Sequence, residues 1–260
     1  MADDAMFVAA GDTLHPTEWA VGPWSPDTLQ ASAYGGLLVR LVERAPAPGD
    51  MMIARLSFDL WRPVTREPIT GTVATLREGR KARTIEASLL QGGKPVARCT
   101  AVLLKTDAAS APPDAPLVPP AKGPEQGTPI PSVAKKWSPF FTGVETRTVA
   151  GDLLKPGPVA AWFHLQRPLV QGEDNSPLVH ATSAADLASG ISAIVDIRAW
   201  SFVNADLTMV LWRVPRAPWI LLEAETRAGD RGTGVASGLL SDVDGPFGRC
   251  EQTLLFDRRR

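Results

Sequence analysis

The chain carries one phrase twice: "RCTAVLL" begins at Arg98 and "RCEQTLL" begins at Arg249, 151 residues later. Sliding the sequence by 151 residues without a gap also lays the "LWR" of Leu60 on the "LWR" of Leu211. Ile69 then falls on Ile220, Thr75 on Thr226, Arg80 on Arg231, Leu89 on Leu240 and Pro95 on Pro246. From Leu60 to Leu104 there are 12 identities in 45 positions, far above what unrelated sequences of this composition give. Upstream, Ser32 and Ala33 fall on Ser183 and Ala184. Solenoid units run roughly 20 to 50 residues, so a period this long reads as a duplicated domain. Between the copies, Thr106 to Pro131 holds eight prolines and no apolar periodicity. Proline fixes φ and lacks a backbone donor, so this stretch is neither a helix nor a central strand, but an extended linker over the surface. The expected division is a first domain over 1–107, a linker over 108–134 and a second domain over 135–260.

Each copy shows the same order of elements. In the first, "SAYGGLLVRLVERA" has apolar residues at helical spacing and predicts a helix from about Ala33 to Ala45. Four strand candidates follow, and "QGGK" between the third and fourth is a tight hairpin signal. "TLHPTEWAVG" offers one more strand before the helix. In the second copy "SAADLASGISAIVDI" is the expected helix, with strands in "FVNADLTMVLWRV", "WILLEAETRA", "GTGVASGLLSD" and "GRCEQTLLFD". "GVETRTVA" and "PVAAWFHLQRPL" precede it. A long helix wrapped by an antiparallel meander, made twice and joined edge to edge, is an α+β class.

Composition narrows the function. The 27 basic and 28 acidic side chains nearly cancel, so no net field recommends nucleic acid or an anionic membrane as partner. The terminal Arg258, Arg259 and Arg260 read as a solvated tail. "MADDAMFVAAGD" is acidic and has no signal-peptide pattern, and no run approaches the roughly 20 apolar residues of a membrane span. A soluble, cytoplasmic protein is expected. Cys99 and Cys250 occupy equivalent places of the repeat and read as small buried hydrophobes rather than as a disulfide. His15, His164 and His180 have no metal-ligand spacing, so no metal is expected.

A helix opening with "YGG", a strand ending in "FDLWRP" (Phe58 to Pro63) and "LREGR" come before "DLTMVLWRVP" and "EQTLL". In this order and with the proline-rich connection, the chain resembles the double-hotdog acyl-CoA thioesterases of the thioesterase II type. The resemblance implies two tandem hotdog domains, each a long helix wrapped by an antiparallel sheet. It also implies hydrolysis of an acyl-CoA to free acid and CoA, no cofactor other than the coenzyme A carried by the substrate, and a homo-oligomer. In that family a water is held by an aspartate at the start of the second helix, a threonine or serine on the next strand and a glutamine on the last strand. Matched residue by residue, the aspartate falls on Asp186 and the glutamine on Gln252. The hydroxyl position falls on Asn204, a departure, with Thr208 on the same strand as the alternative.

The chemistry stands without the family. The leaving thiolate has a pKa of roughly 8.5 or a little more, so the catalyst must mainly deprotonate a water and stabilise an oxyanion. A carboxylate near a helix N-terminus can do the first and free N–H groups there the second. No G-x-S-x-G elbow offers a covalent nucleophile. Under the 151 shift Asp186 lies on Gly35 and Gln252 on Ala101, so one copy supplies catalytic groups and the other mostly shape. The plain alternative is a helix-terminal carboxylate and an outward strand residue.

Three other readings stand beside this one. A hotdog enoyl-CoA hydratase has D-x-N-P-x-H before its helix, and "EDNSPLVH" from Glu173 to His180 resembles it with shifted spacing. A non-catalytic acyl-CoA binding module would keep a pocket without the water-activating groups, and Asn204 keeps that reading open. "LREGRKAR" could meet the nucleotide of coenzyme A through Arg77, Arg80, Lys81 and Arg83, or be a solvated hairpin. The eight tryptophans read as core and interface residues before acyl-tunnel lining.

Overall fold

The computed structural model describes residues 4–112, 118–130 and 138–259. The first half opens with a short hairpin, β1 (Phe7–Ala10) and β2 (Thr13–Pro16). Helix α1 (Ala31–Arg44) comes next, then strands β3 (Met51–Leu60), β4 (Ile69–Arg77), β5 (Ala82–Gln91) and β6 (Lys94–Lys105). The edge strand β7 (Thr128–Pro129) and the short helix α2 (Pro139–Thr142) lead into β8 (Val144–Ala150) and β9 (Val159–Leu165). Helices α3 (Pro177–Ala185) and α4 (Ala188–Ile191) precede β10 (Trp200–Asn204) and β11 (Asp206–Leu211). The second half closes with β12 (Ile220–Ala228), β13 (Thr233–Asp242) and β14 (Gly245–Arg258).

Among the described residues the strands form one 14-stranded sheet in the order β1-β2-β4-β5-β6-β3-β11-β14-β13-β12-β9-β8-β7, with β10 on β14. Its register is the sequence repeat in three dimensions. Cys99 lies between Phe58 and Ala87, and Cys250 between Met209 and Gly238, each 151 residues further on. The irregularity between Leu89 and Leu90 recurs between Leu240 and Ser241. At the seam, where β3 pairs with β11, Ser57 lies opposite Thr208, its own counterpart under the shift. Behind the seam the Ser183 hydroxyl donates to the Ser32 carbonyl at 3.2 Å, again across 151 residues. A pseudo-twofold axis therefore runs through the middle of the sheet and between the helices.

The local reasons are visible in the sequence. Gly92 and Gly93 both have positive φ (54° and 74°), which the two-residue turn of "QGGK" requires and side chains resist. The "YGG" of α1 lets Gly36 lie against Leu169 in the loop before α3. A Cβ on Gly36 would stand 3.1 Å from Leu169, and one on Gly35 3.6 Å from the Thr182 methyl. Leu37, Leu38 and Val42 of α1 and Leu178, Ala181 and Ala185 of α3 are buried in the common core, against strand residues such as Leu56, Phe58, Ile85, Met209 and Leu240. Cys99 and Cys250 are buried free thiols whose pKa burial pushes up.

The second half departs from expectation in its helix. "NSP" starts it early: Ser176 accepts from the Val179 N–H at 3.1 Å and Pro177 occupies the first turn, where its missing donor costs nothing. The helix then breaks at Asp186 and Leu187 and resumes only to Ile191. "FVNADLTMVLWRV" splits into β10 and β11 at Ala205, whose N–H bonds the Thr253 carbonyl. "TLHPTEWAVG" yields only β2 and a single 3-10 turn, and β1 before it is an addition. The linker holds two 3-10 turns and ends in edge strand β7, where proline is tolerated. Its Lys122 carbonyl accepts from the buried Trp162 indole at 3.0 Å. The expected start of the second domain at 135, and Arg260, lie outside the described residues. No helix among the described residues is long and apolar enough to cross a membrane.

Candidate active site

Asp186 caps the C-terminal end of α3 instead of opening a helix, and its carboxylate points across the axis at the N-terminus of α1. The expected dipole is present but belongs to the other helix. Gln30, the residue preceding α1, donates through Nε2 to Asp186 Oδ2 at 2.9 Å, and the Ser32 hydroxyl donates to the same oxygen at 2.8 Å. Asn204, at the end of β10, donates through Nδ2 to Oδ1 at 3.0 Å. Gln252, on the inner face of β14, is fully buried. Its Oε1 accepts from the Ser189 N–H at 3.0 Å, which turns Nε2 toward the Asp186 carbonyl at 3.0 Å and Oδ1 at 3.4 Å. Gln252 thus bridges the break between α3 and α4.

Four neutral donors from two halves surround one carboxylate that is 6% exposed. Burial raises the Asp186 pKa above the ordinary carboxylate range, while Ser32, Gln30 and Asn204 pull it down by hydrogen-bonding the ionised form. The charge in turn helps to push up the Tyr34 hydroxyl, after burial. Gln30 Oε1 is buried without a hydrogen-bond partner among the described residues. Ser32 is itself fully buried, and its hydroxyl orients the carboxylate.

Asp186, Asn204 and Gln252 thus converge, as matched from the sequence. Thr208 does not join them: it pairs with Ser57 and Glu251, on the strand face opposite to buried Leu207 and Met209. Gln30 and Ser32 were missed. The signal was the alignment of Ser32 with Ser183, which marked the place where the helices cross, and the first half supplies donors as well as shape. In "EDNSPLVH", Asn175 accepts from the Leu169 N–H at 2.7 Å and donates to the Arg167 carbonyl at 2.8 Å, while Ser176 caps α3. His180 is buried against His164, and burial first, then His164, lowers its pKa to about 4. In "LREGRKAR", Arg83 binds Thr75 at 3.0 Å and lies 3.4 Å from Glu78, in the first half where Gly35 replaces the aspartate.

Residues 20–104 match the acyl-CoA thioesterase N-terminal domain and residues 120–256 the acyl-CoA thioesterase C-terminal domain. The chain belongs to the acyl-CoA thioesterase family. In this family member the two matched regions meet at Asp186: Gln30 and Ser32 come from the first, Asn204 and Gln252 from the second.

Solved structures share its architecture. A conserved protein of unknown function with a hot dog fold from Alicyclobacillus acidocaldarius superposes with a TM-score of 0.76 at 14% identity, over 99% of this chain and 98% of that one. The tesB protein of Mycobacterium avium subs paratuberculosis gives 0.69 at 13%, over 96% and 95%. An acyl-CoA thioesterase II, TesB2, from Mycobacterium marinum gives 0.65 at 15%, over 96% and 94%. Identities this low speak for the hotdog fold alone. No curated protein sequence matches the chain.

Proposed function

We propose that the protein hydrolyses an acyl-CoA to free acid and CoA by direct attack of water, without a covalent intermediate. The frame is a double hotdog, two tandem helix-in-sheet domains over 1–107 and 135–260 joined by the linker. The observation that carries the reading is the uneven solvation of Asp186. Oδ2 takes two short bonds from Gln30 and Ser32, whereas Oδ1 has one from Asn204 at 3.0 Å and a long second contact to Gln252 at 3.4 Å. The 3.4 Å contact is the weakest of the four, so Oδ1, flanked by two amides, is the oxygen at which a water proton can displace a donor.

In this mechanism Oδ1 removes a proton as the water oxygen bonds to the thioester carbon. The C–S bond then breaks, and the thiolate leaves with the proton held on Asp186 or with one from solvent. Asn204 and Gln252 orient the water and the carboxylate. Neither cysteine competes as nucleophile, because both are fully buried with raised pKa values. The working form is a homo-oligomer. Trp61 and Trp212, counterparts under the repeat just past the ends of β3 and β11, are 49% and 51% exposed and offer it a surface.

The test is to incubate the purified protein with saturated and 2-enoyl-CoAs and to follow free thiol and the enoyl chromophore separately. Thiol release from the saturated series is expected. Loss of the chromophore without thiol would install a hydratase, and binding without either change a non-catalytic module.

A further inference from the structure

The inner face of the sheet continues outward from Asp186 to its end. On β10, Trp200, Phe202 and Asn204 share a face, and on β14 so do Gln252, Leu254, Phe256 and Arg258. Burial falls along β14, from Gln252 and Leu254 (buried) through Phe256 to Arg258 (exposed), whereas on β10 buried Phe202 lies between half-buried Asn204 and Trp200. Phe202 meets Phe256 with ring centroids 6.3 Å apart and Trp24 edge-on at 5.3 Å. The Arg258 guanidinium lies 5.1 Å from the Trp200 ring centre, and that of Arg259 5.4 Å from Trp24. Arg259 Nε also donates to the Trp200 carbonyl at 3.2 Å. The tail is therefore a folded, aromatic-backed pair of cations. Neither arginine pairs with a carboxylate among the described residues, whereas the nearby Asp196 is already engaged by Arg198 at 2.7 Å.

We propose that this Trp24–Trp200–Arg258–Arg259 surface binds the phosphorylated adenosine end of the coenzyme A thioester, an inference that rests on the hydrolase reading above. Guanidinium groups match phosphate oxygens in geometry and charge, and planar guanidinium or indole faces stack a purine. The spacing fits. Asn204 to Trp200 is four residues of extended strand, roughly 13 Å at about 3.3 Å per residue, a span an extended pantetheine arm covers. Trp24 lies in the loop that ends at Gln30, where the Gly22 N–H bonds the Thr28 carbonyl, so one loop touches both the carboxylate and the outer surface. The surface also shares the asymmetry of the site. Under the 151 shift Trp200 falls on Gly49, Arg258 on Asp107 and Arg259 on Ala108, so these three residues have no counterpart in the other half, which contributes Trp24 instead. "LREGRKAR", the other basic candidate, lies in the half without the carboxylate.

The experiment compares the parent with the double variant Arg258→Gln, Arg259→Gln and with Trp24→Leu. Each is given an acyl-CoA and the same acyl group on N-acetylcysteamine, which lacks the nucleotide. Both arginines are exposed, Arg258 at the end of β14 and Arg259 just past it, so folding should survive. The expected result is a loss of about tenfold or more in the preference for acyl-CoA, through KM. Adenosine 3′,5′-bisphosphate should inhibit the parent competitively, less so at high salt, and the double variant weakly. An unchanged preference in the double variant, or equal inhibition of both proteins by the bisphosphate, overturns the inference and leaves the hydrolase reading intact. If the parent hydrolyses neither thioester, that reading fails, and calorimetric binding of the bisphosphate to parent and variant still decides this one.

Discussion

Ser32 Oγ donates to Asp186 Oδ2 at 2.8 Å although the two residues lie 154 positions apart, in different halves of the duplication. The half that lacks the carboxylate supplies two of the four donors that hold it. The same dependence is built into the sheet, where β3 and β11 pair along the seam and would each expose a long edge if the halves were separated. Residues 1–120 expressed alone should therefore aggregate or remain unfolded. A soluble, monomeric product with a cooperative melt would show that the halves are independent.

Replacing Asp186 by Asn tests the base. The shape is kept, Ser32 can turn its hydroxyl to accept from the new amide, and Gln30 has a buried acceptor without a partner that can be turned inward. Removing a buried charge also relieves its desolvation. The melting temperature should thus be equal or higher, while thiol release falls by roughly 10² to 10⁴, the range for loss of a general base. Parent-like turnover in Asp186→Asn would falsify the mechanism.

The raised pKa of Asp186 fixes the sign of two pH effects. Only the ionised form can take a proton, so kcat/KM should rise with pH along a limb above the ordinary aspartate value of 3.8. Ser32 lowers the pKa by bonding the ionised form, so Ser32→Ala should move that limb to still higher pH. Stability runs the other way. A group whose pKa is raised on folding stabilises the protein fully below its unfolded value and loses that contribution as pH rises through the folded one. The melting temperature of the parent relative to Asp186→Asn should therefore fall over the interval in which activity appears. A limb at the same pH in parent and Ser32→Ala would mean that Asp186 is not the titrating group.

Gln252 differs from the other donors because it also carries backbone. Gln252→Ala strands the buried Ser189 N–H and the Asp186 carbonyl at the helix break. Leaving buried groups unpaired costs about 1–3 kcal/mol, so this variant should melt lower than the parent as well as turn over more slowly. Acyl-CoA affinity, read by calorimetry, should change little. Unchanged melting would show that water replaces the amide and that the bridge is dispensable.

The repeat made the architecture legible because a duplicated sheet must pair its strands in duplicate register; Cys99 and Cys250 already named equivalent strands. Asp186 and Gln252 were legible through the resemblance to the thioesterases, and their falling on Gly35 and Ala101 marked them as unshared between the copies. The helix boundary was not, since "SAADLASGIS" has unbroken apolar spacing and its break depends on Gln252 bonding Ser189 from a distant strand. Gln30 and Ser32 were hidden for the same reason: contacts across an axis leave no local pattern. The arginine tail read as solvated because charge runs usually are, and only the strand pairing of Trp200 with Arg258 reveals the ring beneath it.

Asn204 stands where the resemblance leads one to expect a hydroxyl, and its geometry makes a definite claim. Its Nδ2 lies 3.0 Å from Asp186 Oδ1, the oxygen with the weaker second contact, so an amide donor does what a hydroxyl donor could. Asn204→Ala removes that donor from a largely enclosed carboxylate. Turnover should drop by at least ~10-fold, the scale of one hydrogen bond to a charged group. Its pH limb should also shift to higher pH, because Asn204 is one of the groups that lower the Asp186 pKa. Asn204→Thr restores a donor on a shorter side chain and should recover part of the activity. Thr208→Val leaves the cluster untouched, since Thr208 faces away beside Ser57, and should turn over like the parent. The three variants assayed together by thiol release decide the role: a full loss in Thr208→Val with none in Asn204→Ala would move the water-orienting position to Thr208.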